Sequence, residues 1–81
     1  MRDNDTYGRK AMYVLRVCGS NDFVSKINPN DTNCYPPGSV EYVPYFKTWA
    51  MKKYPTRVGA ERAARLVGKL DGVHCDVENA N

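Results

Sequence analysis

Cys18, Cys34, His74 and Cys75 are the residues of this 81-residue chain whose types could hold a metal or run nucleophilic chemistry. Their spacing argues against both. A tetrahedral zinc site draws its thiolates and imidazoles from paired short spacings, and none occurs here. His74 and Cys75 are neighbours in a segment that reads as a strand, so their side chains leave opposite faces and do not converge on one ion. For nucleophilic catalysis, His74 is the sole histidine and no elbow or oxyanion sequence surrounds Cys18 or Cys34. The acids are scattered, and there is no phosphate-binding glycine loop, dinucleotide fingerprint or HExxH. The expectation is a protein with no catalytic residues, metal or cofactor.

Two other groups of residues remain, and both suit binding. The first is cationic. Residues 47–70 hold Lys47, Lys52, Lys53, Arg57, Arg62, Arg65 and Lys69 against Glu61 alone, while the segments before and after are neutral and acidic. Such a concentration can neutralise phosphates or an acidic protein surface; a solvated face that merely keeps the chain in solution is the competing reading. The second is aromatic. Tyr35, Tyr42, Tyr45, Phe46, Trp49 and Tyr54 cluster in one stretch. Tyrosine, tryptophan and arginine dominate interface hot spots, and the same rings can stack on nucleobases. The expected partner-binding set is Lys52, Lys53, Arg57, Arg62, Arg65, Lys69, Tyr42, Tyr45 and Tyr54. Phe46 and Trp49 are expected to cover the sheet.

The elements that must position these groups follow from pattern. Residues 1–10 read as a polar extension and 11–81 as a single domain, for which the chain is long enough. Residues 11–18 alternate, with Tyr13, Leu15 and Val17 on one face and Met12, Val14 and Arg16 on the other. Gly19 to Asp22 is a turn, and Phe23 to Ile27 returns as a hairpin strand. Residues 28–39 form a loop of asparagine, aspartate, proline and glycine. Val40 to about Phe46 is a third strand, in which Pro44 marks either a bulge or a sheet edge, where a second copy could add a strand. Thr48 is expected to cap a short helical turn over Trp49 to Lys53, ended by Pro55.

Thr56 is the expected N-cap of an amphipathic helix from Arg57 to Val67, closed by Gly68. At 100° per residue, Ala60, Ala63, Ala64, Leu66, Val67 and Leu70 share one side, and Arg57, Glu61, Arg62, Arg65 and Lys69 the other. Val73, Cys75 and Val77 then alternate with polar residues as a last strand. The fold class is α+β: an antiparallel sheet of about four strands in the order β-β-β-α-β, with one helix packed on one face.

With three cysteines lacking framework spacing, a polar N-terminus and no long apolar run, the cytoplasm is the expected location, away from membranes. The layout MYVLRV, turn, FVSKI, variable loop, AMKKYPTR, AERAARLVG and final strand resembles small accessory proteins of bacteriophages and prophages. That resemblance spans residues 12–77 and implies a non-enzymatic inhibitor or adaptor. Its partner would be a host protein or ribonucleoprotein complex, with CRISPR–Cas effectors among the known targets of such proteins. The positive charge of residues 47–70 is the wrong sign for a DNA mimic. The alternative is a nonspecific nucleic-acid-binding module using the basic helix face.

Overall fold

A computed structural model describes residues 12–80. The expected extension, residues 1–10, lies outside the described residues. Four strands, β1 (Tyr13–Val17), β2 (Asp22–Asn28), β3 (Ser39–Pro44) and β4 (Cys75–Asn79), form one antiparallel sheet in the spatial order β3-β2-β1-β4. The one α-helix among the described residues, α1 (Arg57–Asp71), precedes β4. The α+β class and the order β-β-β-α-β are those the sequence implies. As its proline suggests, β3 is a sheet edge, and β4 is the other.

Alternation decides what each face of the sheet buries. Leu15, Val24 and Cys75 point toward α1 and meet Ala60 and Val67, with Tyr13, Val17, Ile27, Val40, Tyr42 and Val77 packed around them. Leu15, Val24 and Val67 are wholly buried, each worth roughly 1.5–3 kcal/mol of transfer free energy. Ala60 is equally inaccessible, so the helix backbone comes close to the strands at that point. The wheel drawn from sequence is therefore the observed one, with Val58 the apolar residue left on the outer side.

The helix is longer than its sequence suggests. Thr56 caps it, its hydroxyl accepting the Gly59 amide at 3.0 Å. Gly68 does not close it. Helical backbone continues to Asp71, and Gly72 is the cap, with φ of 68° and its amide bonded to the Gly68 carbonyl. Glycine at position 68 is tolerated inside a helix, whereas the left-handed conformation at 72 favours glycine. Leu70, one turn further along the inner face, explains the extension: its side chain meets the loop before β3, where a Cβ on Gly38 would lie 2.5 Å from Leu70 Cδ2.

The other side of the sheet is also covered, though not by Phe46 and Trp49. β1 and β2 pair at Arg16 opposite Phe23 and then diverge. The extended segment Met51–Tyr54 enters the gap. Lys52 donates its amide to the Val24 carbonyl at 3.0 Å, and Tyr54 exchanges two backbone hydrogen bonds with Tyr13 at 2.8 and 2.9 Å. This insertion brings Met51 under the sheet, where it packs with Val14, Phe23 and Val43. β2 is irregular between Val24 and Lys26, beside the same insertion. A short 3-10 turn, Thr48–Ala50, leads into it. Thr48 is the first residue of that turn and makes no capping bond, unlike its expected role.

Candidate functional site

The outer face of α1 carries the cations. Arg62, Arg65 and Lys69 are solvent-exposed, and none makes an ion pair or side-chain hydrogen bond among the described residues. Arg57 differs. Its Nε donates to Glu61 Oε2 at 3.2 Å, an i,i+4 pair that offsets part of its charge. The unneutralised stripe thus runs over the last two-thirds of the helix. Lys69 lies in the final turn, where the helix dipole favours a cation.

Lys52 and Lys53 belong to a different place. Lys52 lies in the inserted segment with its ammonium 5.9 Å from the centre of the Tyr54 ring, a cation–π contact. Lys53 Nζ donates to the Thr48 carbonyl at 2.7 Å, tying the inserted segment to the turn before it.

The tyrosines divide in the same manner. Tyr42, on the inward side of β3, packs against the core and donates its hydroxyl to Asp71 at the end of α1. Burial, reinforced by that hydrogen bond and the carboxylate's charge, pushes its pKa well above the ordinary tyrosine value. Tyr54 is half-buried in the same core, and burial raises its pKa too. Both rings bind the fold together. Tyr45 faces outward, as do the two residues expected to cover the sheet: Phe46 is 60% exposed and Trp49 75%. Met51 takes the covering role instead. Tyr45 and Phe46 stand edge to face, with centroids 5.7 Å apart. Tyr35 is fully exposed in the loop before β3, and the other exposed aromatics, Tyr45, Phe46 and Trp49, share the turn between β3 and α1.

The cysteines and histidine do not converge. Cys75 is buried under α1, and burial pushes its thiol pKa up, the opposite of an activated nucleophile. His74, beside it, is exposed with Nε2 3.6 Å from Asp76 Oδ1. Cys34 lies in the exposed loop, whose Asp31 carboxylate accepts the Asn33 amide at 2.9 Å and is held below the usual carboxylate range chiefly by that bond. Among the described residues no three His, Cys, Asp or Glu side chains gather around a common point. No helix among them is long and apolar enough to cross a membrane.

Two open grooves of about 300 Å³ each flank the sheet. One lies between α1 and β4, lined by Ala64, Arg65, Val73, His74 and Cys75. The other lies on the far face, floored by Val14, Phe23 and Met51 and rimmed by Tyr45, Thr48, Lys53, Glu78 and Asn79. Glu78 is paired with Arg16 at 3.0 Å.

No protein-family model, curated protein or solved structure matches the chain.

Proposed function

We propose that this is a non-enzymatic binding protein that blocks a host protein or nucleoprotein complex by docking the outer face of α1 on an anionic surface. The observation that carries the reading is the state of Arg62, Arg65 and Lys69: exposed, on one face, and without partners among the described residues. A solvating face would serve as well with its charges paired, as Arg57 is with Glu61. Three cations without partners among the described residues can meet carboxylates or phosphates without breaking an internal pair, and two of them are guanidinium forks suited to bidentate contacts. The phage-type layout supplies the class of target, with CRISPR–Cas effectors as its most specific form. The second reading, a nucleic-acid-binding module, uses the same face and is favoured by the same charges.

Recovery of partners from a bacterial lysate on immobilised protein, with and without nuclease, separates the two. Capture that survives nuclease and is lost in the R62E/R65E double variant supports docking on a protein. Nuclease-sensitive capture supports the second reading. Capture undiminished in R62E/R65E removes this face from the interaction. The variant remains interpretable because neither side chain holds the fold; its stability should lie within about 0.5 kcal/mol of the native protein, as for surface substitutions generally.

A further inference from the structure

From the opposite side of the sheet we infer that the turn bearing Tyr45, Phe46 and Trp49 is a second binding surface, one that stacks on the exposed bases of a single-stranded nucleic acid. It uses residues distinct from the cationic helix face and stands independently of it.

Three observations carry the inference. First, the rings are exposed without serving the fold, because Met51 fills the space they would otherwise cover. Second, the segment is wholly cationic: between Glu41 and Glu61 lie Lys47, Lys52, Lys53 and Arg57 with no acid. Lys47, on the turn, and Lys53, at the groove, therefore accompany the rings as phosphate contacts, whereas the Lys52 ammonium lies by Tyr54 on the α1 side. Third, the neighbouring groove has an apolar floor of Val14, Phe23 and Met51 but a rim of hydrogen-bonding groups. At about 300 Å³ it is at the small end of ligand sites. A planar heterocycle with a polar edge meets both parts. The Lys53 ammonium is already fixed at this rim by its bond to the Thr48 carbonyl. Glu78 also lies there, its charge offset by Arg16.

An anionic lipid surface would share the charge complementarity, but it would leave the polar rim of the groove without function. Base stacking accounts for the rings, the lysines and the rim together, and it tolerates any sequence because every base has a π-face.

Trp49 is the chain's one tryptophan, so its fluorescence reports directly on this surface. The native protein is titrated with a short oligothymidylate, with an abasic strand of equal length, and with phosphatidylglycerol–phosphatidylcholine vesicles. Expected are quenching by the oligothymidylate, none by the abasic strand, and a roughly five- to hundred-fold weaker affinity by anisotropy for W49A. Circular dichroism checks that W49A folds. Persistence of the quenching in R62E/R65E supports a surface separate from the helix. Three results overturn the inference: oligothymidylate binding without quenching, equal behaviour of the abasic strand, or a blue shift of emission with vesicles alone. Should W49A bind the strand as the native protein does while R62E/R65E does not, the turn is excluded and the helix face stands.

Discussion

Substituting alanine for Gly38 tests the contact that sets the length of α1. Gly38 has φ of 121°, a backbone conformation that a residue with a Cβ adopts at a cost of roughly 1–3 kcal/mol. The new methyl would also lie 2.5 Å from Leu70 Cδ2, far inside van der Waals contact. Because the atom it meets is the end of a half-buried leucine, the side chain can turn aside. An off-rotamer leucine costs about 0.5–1.5 kcal/mol. Against these stands the smaller entropy of an alanine in the unfolded chain, worth about 0.4–1 kcal/mol in the opposite direction. The balance is a loss of about 2 kcal/mol, which for a domain of this size lowers Tm by roughly 8–16 °C. Thermal unfolding followed by circular dichroism measures it. The L70A and G38A/L70A variants complete a double-mutant cycle. With the leucine methyls gone, the steric part of the penalty should vanish and the backbone part remain, giving a coupling of about 0.5–1.5 kcal/mol. A G38A protein melting within a few degrees of the native one would refute the conformation. Strict additivity in the cycle would refute the contact with Leu70.

Two further outcomes are expected. Alkaline pH should destabilise the protein through groups whose folded pKa is raised. The Tyr42 hydroxyl keeps its proton in the fold but ionises near its ordinary value of 10.0 in the unfolded chain, so its contribution is whole below that pH and declines above it. Urea midpoints measured across the alkaline range should fall less steeply in Y42F; equal slopes would show that in solution the hydroxyl is neither buried nor bonded to Asp71. Thiol labelling should be unequal: Cys18 and Cys34 are exposed and react in the native protein, whereas Cys75, 6% exposed with a raised pKa, reacts only on unfolding. Equal rates at all three sites would mean that α1 does not seat over β4.

The strands and the helix were legible because each has a single dominant period. The alternation in residues 12–17 and 75–78 assigns faces directly, and the alanines of α1 mark its inner side. The end of the helix was misplaced because Gly68 and Gly72 are both credible stops by residue type; only the contact of Leu70 with the loop before β3 decides between them. The place of Tyr42 in the core rather than the epitope is readable from its own strand: it lies two residues from inward-facing Val40 and shares its face. Aromatic character alone puts Phe46 and Trp49 on the sheet, yet both follow Pro44, where β3 ends and alternation ceases to predict anything. The insertion of Met51–Tyr54 between β1 and β2 has no local signature. It depends on two strands diverging, a property of the whole sheet.

That insertion also bears on why the molecule has two distinct surfaces. A sheet of four strands with one helix leaves its second face bare, and here the chain closes that face with one methionine carried on backbone hydrogen bonds to Val24 and Tyr13. Delivering Met51 requires a turn on the outside of the sheet, and the turn needs only residues that water accepts. It contains Tyr45, Phe46 and Trp49 instead. A phenylalanine left largely in water forgoes up to about 1.5–3 kcal/mol that burial would contribute, and a cluster of such rings invites self-association. Neither closing the fold nor keeping it apart from its copies calls for them. Their placement among lysines, away from the arginines of α1, makes a purpose in recognition the simplest physical account of the turn.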